Sequence, residues 1–381
     1  MVSCYPGTPS SEVPDTFHRL GGEGRYRLEY SVNEKVALEV AAGAALGGAM
    51  SLVTMKHVGV NVAADPLFTS VYTGLPGGMV LLTADDPGCH SSQNEQDNRT
   101  YARFALLPCF EPASAQEAKD MTREAFRLAR ELQQPVMLRT TTRVSHMRGA
   151  VDFDDLPATQ PKVEFKRDPS RFVPVPAVAR KRHQILDGII EKARQFAESS
   201  RFNTVREPQT PTRLGIITSG VARNYLADAL AAGGWEDRVR VLELGMTWPL
   251  PEEKICTFLN QCKRVLVLEE GEDLLVDGSL AANLSVLFDS VIVPEGAQSI
   301  QTLLTDGDAK YHLRQAYRHL KAIGLPGNAK AMLEAASLPQ DMDDAGLLMP
   351  KDTKSLMPTF ITAMKQHRVW SREPKTLDFG A

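Results

Sequence analysis

Glu34 stands where packing alone gives a carboxylate little reason to stand. It follows Asn33 and opens the run Lys35-Val36-Ala37-Leu38-Glu39-Val40-Ala41-Ala42-Gly43, which continues through Ala44, Ala45, Gly47, Gly48 and Ala49. Residues this small let another backbone or a flat ligand approach a helix closely. A glutamate half-buried at the mouth of such a helix could hold or share a proton, because desolvation disfavours the charged form of a carboxyl group.

A second set of residues is Cys4-Tyr5-Pro6-Gly7-Thr8-Pro9-Ser10-Ser11-Glu12-Val13. It reads as a strand end, a tight turn and a helix start, with Ser10 or Ser11 as N-cap. Hydroxyls and free amides at a helix N-terminus form an anion site, although a turn that merely caps a helix uses the same residues. His57 follows Met55-Lys56 at the end of an expected strand, where α/β ligand sites gather. Proton transfer, substrate contact and a structural hydrogen bond are all open to it. His90 sits in residues 88–99, a loop dense in Ser, Gln, Asn, Asp and Glu that either faces a ligand or caps an interface. Asp85-Asp86 reads as a solvated turn before Pro87, and Glu269-Glu270 as a structural run, so no metal site is assigned.

The elements that must position these residues alternate. Residues 50–55, 78–84 and 135–140 are short apolar runs expected as buried parallel strands, and 115–133 is an amphipathic helix with Ser114 as N-cap and Glu117 completing a capping box. Residues 1–150 are therefore expected to form one α/β domain. Asp152, Asp154, Asp155, Pro157, Pro161, Pro169, Pro174 and Pro176 mark 151–212 as a linker with a basic bridging helix at 177–199. A small doubly wound domain is expected over 213–300, with strands at 214–218, 239–244 and 264–269 and a helix at 221–232. Residues 301–381 are expected to be a helical extension of unknown role, with helices at 311–323 and 328–336.

Composition excludes several classes. The chain has 381 residues, a net charge of -4 and 24% charged residues, so it lacks the basic footprint of a nucleic-acid binder. No apolar run is long enough to span a membrane and no secretory signal precedes the first turn, which makes a cytoplasmic location the expectation. Five cysteines, Cys4, Cys89, Cys109, Cys256 and Cys262, are too scattered for a disulfide framework or for iron–sulfur ligation. Cys256 and Cys262 are expected to be packing residues on a helix.

The segments YPGTPSSEV (5–13), SVNEKVALEVAAGAALGGA (31–49), TMKHVGVNVAADP (54–66), ADDPGCHSSQNEQDNR (84–99) and LRTTTRVSH (138–146) closely resemble the large subunit of indolepyruvate:ferredoxin oxidoreductase. That subunit belongs to the thiamine-diphosphate-dependent 2-oxoacid:ferredoxin oxidoreductases. The match covers nearly all of 1–150 and, more loosely, 213–270. It implies a pyrimidine-binding domain followed by a domain like the C-terminal domain of transketolase. It further implies oxidative decarboxylation of an arylpyruvate to an acyl-CoA, with electrons passed to ferredoxin.

Residue by residue, the resemblance implies that Glu34 hydrogen-bonds N1′ of the thiamine aminopyrimidine, with Gly43 as the glycine of the same helix. It places Pro9 and Gly59 with Glu34 at the cofactor, Thr8 at the substrate carboxylate, and His57 among the catalytic candidates. Of two arginines weighed for that carboxylate, Arg99 is the better match over Arg103. An arginine fork with a hydroxyl is a good receptor for a planar carboxylate.

The resemblance stops short of the other end of the cofactor. Asp306-Gly307-Asp308 is the nearest string to the family's diphosphate motif, and no apolar strand precedes it. Relatives also carry a short glycine-containing helix before the first turn. Mg²⁺, diphosphate binding and iron–sulfur clusters are therefore expected on a partner: a diphosphate-binding subunit or domain and a gamma/beta-type subunit, with ferredoxin as acceptor, in a homo- or hetero-oligomer. The isolated chain is expected to be inactive. Two alternatives stand beside this one, a non-catalytic scaffold that keeps the fold and a non-oxidative decarboxylase component.

Overall fold

A computed structural model describes residues 1–21, 25–153, 163–272, 274–275, 290–293, 295–339, 344–365, 368–372 and 374. Asp154, Asp155, Pro157 and Pro161 of the expected linker, and Asp273, lie outside the described residues. The chain divides into two compact units, Met1–Leu275 and Val276–Ala381.

The strands of the first unit are β1 (Val2–Cys4), β2 (Leu28–Tyr30), β3 (Ser51–Lys56), β4 (Met79–Asp85), β5 (Cys109–Phe110), β6 (Pro135–Thr141), β7 (Asn203–Arg206), β8 (Leu214–Ser219), β9 (Arg240–Leu244), β10 (Met246–Trp248) and β11 (Arg264–Leu268). One sheet has the order β10-β5-β6-β4-β3-β1-β2, parallel except for β10 at its edge. The other is β11-β8-β9-β7, parallel except for β7. Every residue of β4 and β6 is buried, as expected of central strands with helices on both faces.

The helix Ala115–Leu132 buries Met121, Ala125, Leu128, Ala129 and Leu132, one stripe at helical spacing. Its N-cap Ser114 accepts from Glu117 N at 3.2 Å. The carboxylate of Glu117 departs from the expected box: it accepts from Ala113 N at 2.8 Å and from Arg223 of the helix Ala222–Gly233 at 3.0 Å. The expected bridging helix, Pro176–Ser199, is part of the first sheet's core, with Leu186 in one hydrophobic layer and Ala193 and Ala197 in the other.

In the first unit β2, β5, β7 and β10 lie where no strand was expected. β7 falls within 151–212 and joins the second sheet, pairing Asn203 with Leu244. β10 leaves the second sheet and pairs with β5 through Met246 and Phe110. Strands of three or four residues are too short to show an alternating pattern, so only their pairing partners define them.

The second unit carries β12 (Ser290–Ile292), β13 (Ala322–Gly324) and β14 (Leu347–Leu348) in one parallel sheet with β13 central. The expectation of a purely helical extension is corrected here. The expected helix at 311–323 is Gly307–Arg318, and 322–324 is a strand whose three residues are all buried, so it shows no periodicity. Leu313, Tyr317, Ile323, Leu325, Met332 and Leu333 form the core of this unit. Arg372 is bidentate to Asp344, at 2.6 and 2.8 Å, with Nη1 on Lys321 O at 2.7 Å. Asp306 caps Gly307–Arg318 by accepting from Ala309 N at 2.9 Å, so Asp306-Gly307-Asp308 is a helix start.

A buried charge cluster joins the two sheets of the first unit. Arg139 of β6 donates through Nε to Asp85 of β4 at 2.7 Å and through Nη1 to Glu111 after β5. Asp97 lies 3.5 Å from the same guanidinium. Arg99 binds Asp97 and reaches Glu269 beyond β11 at 2.6 Å. Four carboxylates thus share two guanidiniums. Burial pushes the carboxyl groups of Asp85 and Glu269 up, and Arg139 and Arg99 respectively offset only part of that rise. For Asp97 burial acts in the same sense, but Arg139 and Arg99 outweigh it and the net direction is down.

Removing one member of such a cluster strands the others without compensation. Arg139→Met is expected to destabilise the fold by about 3–5 kcal/mol, read from urea midpoints. Because the fold holds the Asp85 proton more tightly than the unfolded chain does, the stabilisation is complete below the ordinary aspartate value and lost as pH rises through the raised one. The stability gap between the native protein and Asp85→Asn should therefore narrow as pH rises across that window; a gap that widens contradicts the assignment.

Candidate functional site

The order of the first sheet decides where a ligand can sit. The chain runs from β1 outward to β2, then crosses back over β1 to β3, so the connections leaving β1 and β3 part and open a crevice at the carboxyl ends. The turn of residues 5–11 follows β1, the helix His57–Val62 follows β3 directly, and the helix Glu34–Leu46 follows β2. Three distant segments therefore converge on one edge.

Glu34 is the first residue of its helix, where a negative charge meets the positive end of the helix dipole. Asn33 caps that end by accepting from Val36 N at 2.9 Å, and Ser3 of β1 ties the helix to the sheet by donating to Ala37 O at 2.7 Å. The half-buried Glu34 side chain lies against Gly59. A Cβ on residue 59 would stand 2.6 Å from Glu34 Cγ and 2.7 Å from Oε1, so any larger residue displaces the carboxylate. Gly43 faces outward on the same helix, with open space where a side chain would be.

In the first turn, Ser10 Oγ donates to Gly7 O at 2.7 Å, and Gly7 packs on Lys56 so closely that an added Cβ would lie 3.0 Å from Lys56 Cβ. Ser11 occupies the N-cap position but makes no side-chain cap. Thr8 is exposed, Pro9 is buried, and the peptide between them is cis. Burial pushes the Cys4 thiol up to about 11, with the Asp15 charge adding to it, so Cys4 is not a ready nucleophile.

His57 is fully buried. Its Nε2 lies 3.1 Å from Asn94 O, and because a carbonyl only accepts, Nε2 carries the proton. His57 thus anchors the polar loop. Lys56 Nζ donates to Ser91 O at 2.7 Å, Asn61 to Gln96 Oε1 at 2.9 Å, and Asn98 Nδ2 to His57 O at 3.2 Å. The expected solvated turn at Asp85-Asp86 is corrected: both side chains are buried. Burial opposes ionisation of Asp86, but donors from Ser92, Ser91 and Thr142 outweigh it and hold the carboxyl well below the ordinary range. Exposed His90 lines a cleft of about 470 Å³ with Arg143, Tyr225 and Glu270.

Arg99 departs from its expected role at a substrate carboxylate. It is fully buried, and each guanidinium nitrogen is engaged within the protein: Nε with Asp97, Nη1 with Glu269, and Nη2 with Asp97, Glu270 O and Glu272 O. Arg103, on the same short helix, is exposed, with its guanidinium 5.9 Å from the Trp248 ring. Cys256 is exposed and Cys262 falls in the turn after its helix, so only Cys262 packs, beside the second-sheet core. Among the described residues, no group of three or more His, Cys, Asp or Glu side chains is placed to hold a metal.

Sequence reasoning missed the roles of Lys56, Asn98 and Arg139. Lys56, Asn98 and Arg139 all lie inside segments already singled out, and their polarity within or beside buried strands was the available signal.

Several known proteins are similar to this chain in sequence or fold. Residues 1–205 match the family described as pyruvate flavodoxin/ferredoxin oxidoreductase, thiamine diphosphate-binding. Residues 260–374 match the C-terminal domain found in long catalases, a likeness that covers most of the supposed extension of unknown role. Indolepyruvate oxidoreductase subunit IorA of Methanothermobacter thermautotrophicus is 47% identical over 292 residues, covering 75% of this chain and 47% of that one. The same subunit of Archaeoglobus fulgidus is 47% identical over 275 residues, covering 71% of this chain and 44% of its own. The chain thus spans about half the length of the curated relatives it matches. Catalase HPII of Pseudomonas aeruginosa is 37% identical over 108 residues, which is 28% of this chain and 15% of the catalase. The solved 2-oxoglutarate:ferredoxin oxidoreductase of Magnetococcus marinus shares the fold with a TM-score of 0.57 at 16% identity, over 70% of this chain and 54% of that one. Since residues 1–205 of 381 match throughout, with Glu34, Gly59 and the first turn at the crevice of the matched sheet, the chain belongs to the thiamine-diphosphate-binding family of pyruvate flavodoxin/ferredoxin oxidoreductases.

Proposed function

We propose that this chain is the pyrimidine-side component of a thiamine-diphosphate-dependent 2-oxoacid:ferredoxin oxidoreductase acting on an arylpyruvate, with a partner holding the diphosphate. The observation that carries this reading is the Glu34 carboxylate set against Gly59 at the switch point of the first sheet. The residues fit one end of the cofactor: a half-buried carboxylate at a helix N-terminus, with a side-chain-free turn behind it. For the other end, the described residues offer no cluster for a divalent cation.

When bound, the cofactor supplies an electron sink for decarboxylation, which leaves the protein to bind, orient and exclude water. Glu34 would hold a proton between one Oε atom and the ring nitrogen of the aminopyrimidine. Gly59 keeps that carboxylate from being displaced, and buried Pro9 walls the turn beside it. The exposed Thr8 hydroxyl serves the substrate carboxylate, a task that Arg99, engaged within the protein, does not share. His57 supports the site by orienting the loop through Nε2–H. The arylpyruvate preference, the acyl-CoA product and ferredoxin as acceptor rest on the similarity to indolepyruvate oxidoreductase subunits.

The scaffold alternative draws support from one observation, the catalase-like stretch that shares the chain. The two readings part on Glu34. In enzyme reconstituted with a diphosphate-binding partner, Glu34→Gln should lower arylpyruvate oxidation by about 10²–10⁴-fold while leaving the circular dichroism spectrum unchanged. Turnover that survives the change defeats the catalytic reading. Calorimetric titration of the isolated chain with thiamine diphosphate and Mg²⁺ should show no tight binding, and tight binding would remove the need for a partner.

A further inference from the structure

Arg99 is released from the substrate, yet its burial and its bonds give it a task. All of its acceptors beyond Asp97 come from one place, the segment that leaves β11 of the second sheet: Glu269 Oε2 at 2.6 Å, Glu270 O at 3.1 Å and Glu272 O at 2.8 Å. The contact is reciprocal, since Glu272 N donates to Asp97 Oδ2 at 3.0 Å. Gly271 between them sits at φ +105°, and a Cβ there would stand 2.5 Å from Asp97 Oδ2. Only glycine lets the segment lie this close to the end of the polar loop, in a conformation other residues rarely adopt.

From that contact a continuous set of bonds leads to the crevice. Asn98, between Asp97 and Arg99, donates through its amide to Asp85 Oδ2 at 2.9 Å and through Nδ2 to His57 O and Thr83 Oγ1. His57 returns a bond to Asn94 of the same loop, and Gly59, two residues on, carries the Glu34 carboxylate. A buried ion pair of this kind adds little net stability over an apolar replacement, so its value lies in the geometry it imposes.

We propose that residues 269–272 of the second α/β module are a positioning latch for the loop of residues 86–99, with Arg99 as the positioning residue through which they set the mouth of the Glu34 site. The role of the latch at the Glu34 site rests on the function proposed above; the latch itself does not. A second sheet that contributes no side chain to the chemistry would thus govern how the loop lies across the crevice. Arg99→Lys keeps the charge but loses the planar fork that reaches Asp97 and the three acceptors of residues 269–272 at once.

Hydrogen exchange of the full chain, read by mass spectrometry, tests the latch without any turnover. In Arg99→Lys and in Gly271→Ala, exchange should rise by about tenfold or more in residues 86–98 and in 57–62, with β9 and the second unit unchanged, as expected for a local opening. Faster exchange confined to 269–272, with 86–98 as in the native protein, overturns the proposal. Should both variants fail to fold, Glu269→Gln, which keeps the shape and removes the charge, is read by the same comparison and decides it. In reconstituted enzyme, Arg99→Lys should raise KM for the oxoacid more than it lowers kcat, whereas an equal loss of active protein would change kcat alone. If the native complex shows no turnover, the function proposed above fails while the exchange result still judges the latch.

Discussion

The Arg139 guanidinium is the point on which the first unit closes. It sits fully buried on a central strand, holding Asp85 of the neighbouring strand and Glu111 beyond β5, while Arg99 carries the charge pattern on to Glu269. Gly220, at the turn after β8, comes so near that an added Cβ would stand 2.7 Å from Glu111 Oε1. Arg223 on the helix that follows donates to Glu111 O at 3.2 Å. The second sheet is thus seated by a charge cluster at the carboxyl ends of β4, β5 and β6, the same edge that opens the crevice. With more carboxylates than guanidiniums, the cluster relieves its excess charge through raised carboxyl groups at Asp85 and Glu269.

This arrangement explains why the polar loop is ordered despite its composition. A loop of this composition would ordinarily stay solvated, but here Asp86 gathers Ser91 and Ser92, Lys56 and His57 take backbone carbonyls, and Asp97 and Arg99 are held from the second sheet. Each bond is modest by itself. Together they pair many of the polar groups that burial would otherwise penalise, though not His57 Nδ1 or Asn98 Oδ1, and they fix the loop against the helix that supports Glu34.

The second unit is a separate construction. Its three parallel strands surround Ile323 and Leu325, and its buried Arg372–Asp344 pair is covered by Tyr317, whose ring lies 4.4 Å from the guanidinium carbon. Joining sequence like a catalase C-terminal domain to sequence like a thiamine-diphosphate-binding domain means that family likeness has to be assigned segment by segment in this chain. The helices alone did not disclose this, because the strands that define the unit are two or three residues long.

Residue identity by itself determined the long buried strands, the stripe of Ala115–Leu132 and the cap at Ser114, because these depend on local periodicity and on short-range hydrogen bonds. It also sufficed to mark Gly59 through its family motif. Tertiary structure alone decided that Gly59 yields its side-chain space to Glu34, that Arg99 is consumed inside the protein while Arg103 stays accessible, and that Asp85 and Asp86 are buried. It also decided that β7, from the expected linker, joins the second sheet and that β10, from the expected second domain, joins the first. Charge and polarity in a sequence do not say whether a side chain meets solvent or a partner some 170 positions away, as Arg99 meets Glu269. That pairing is settled only when the sheets close and desolvation forces each buried charge to find its complement.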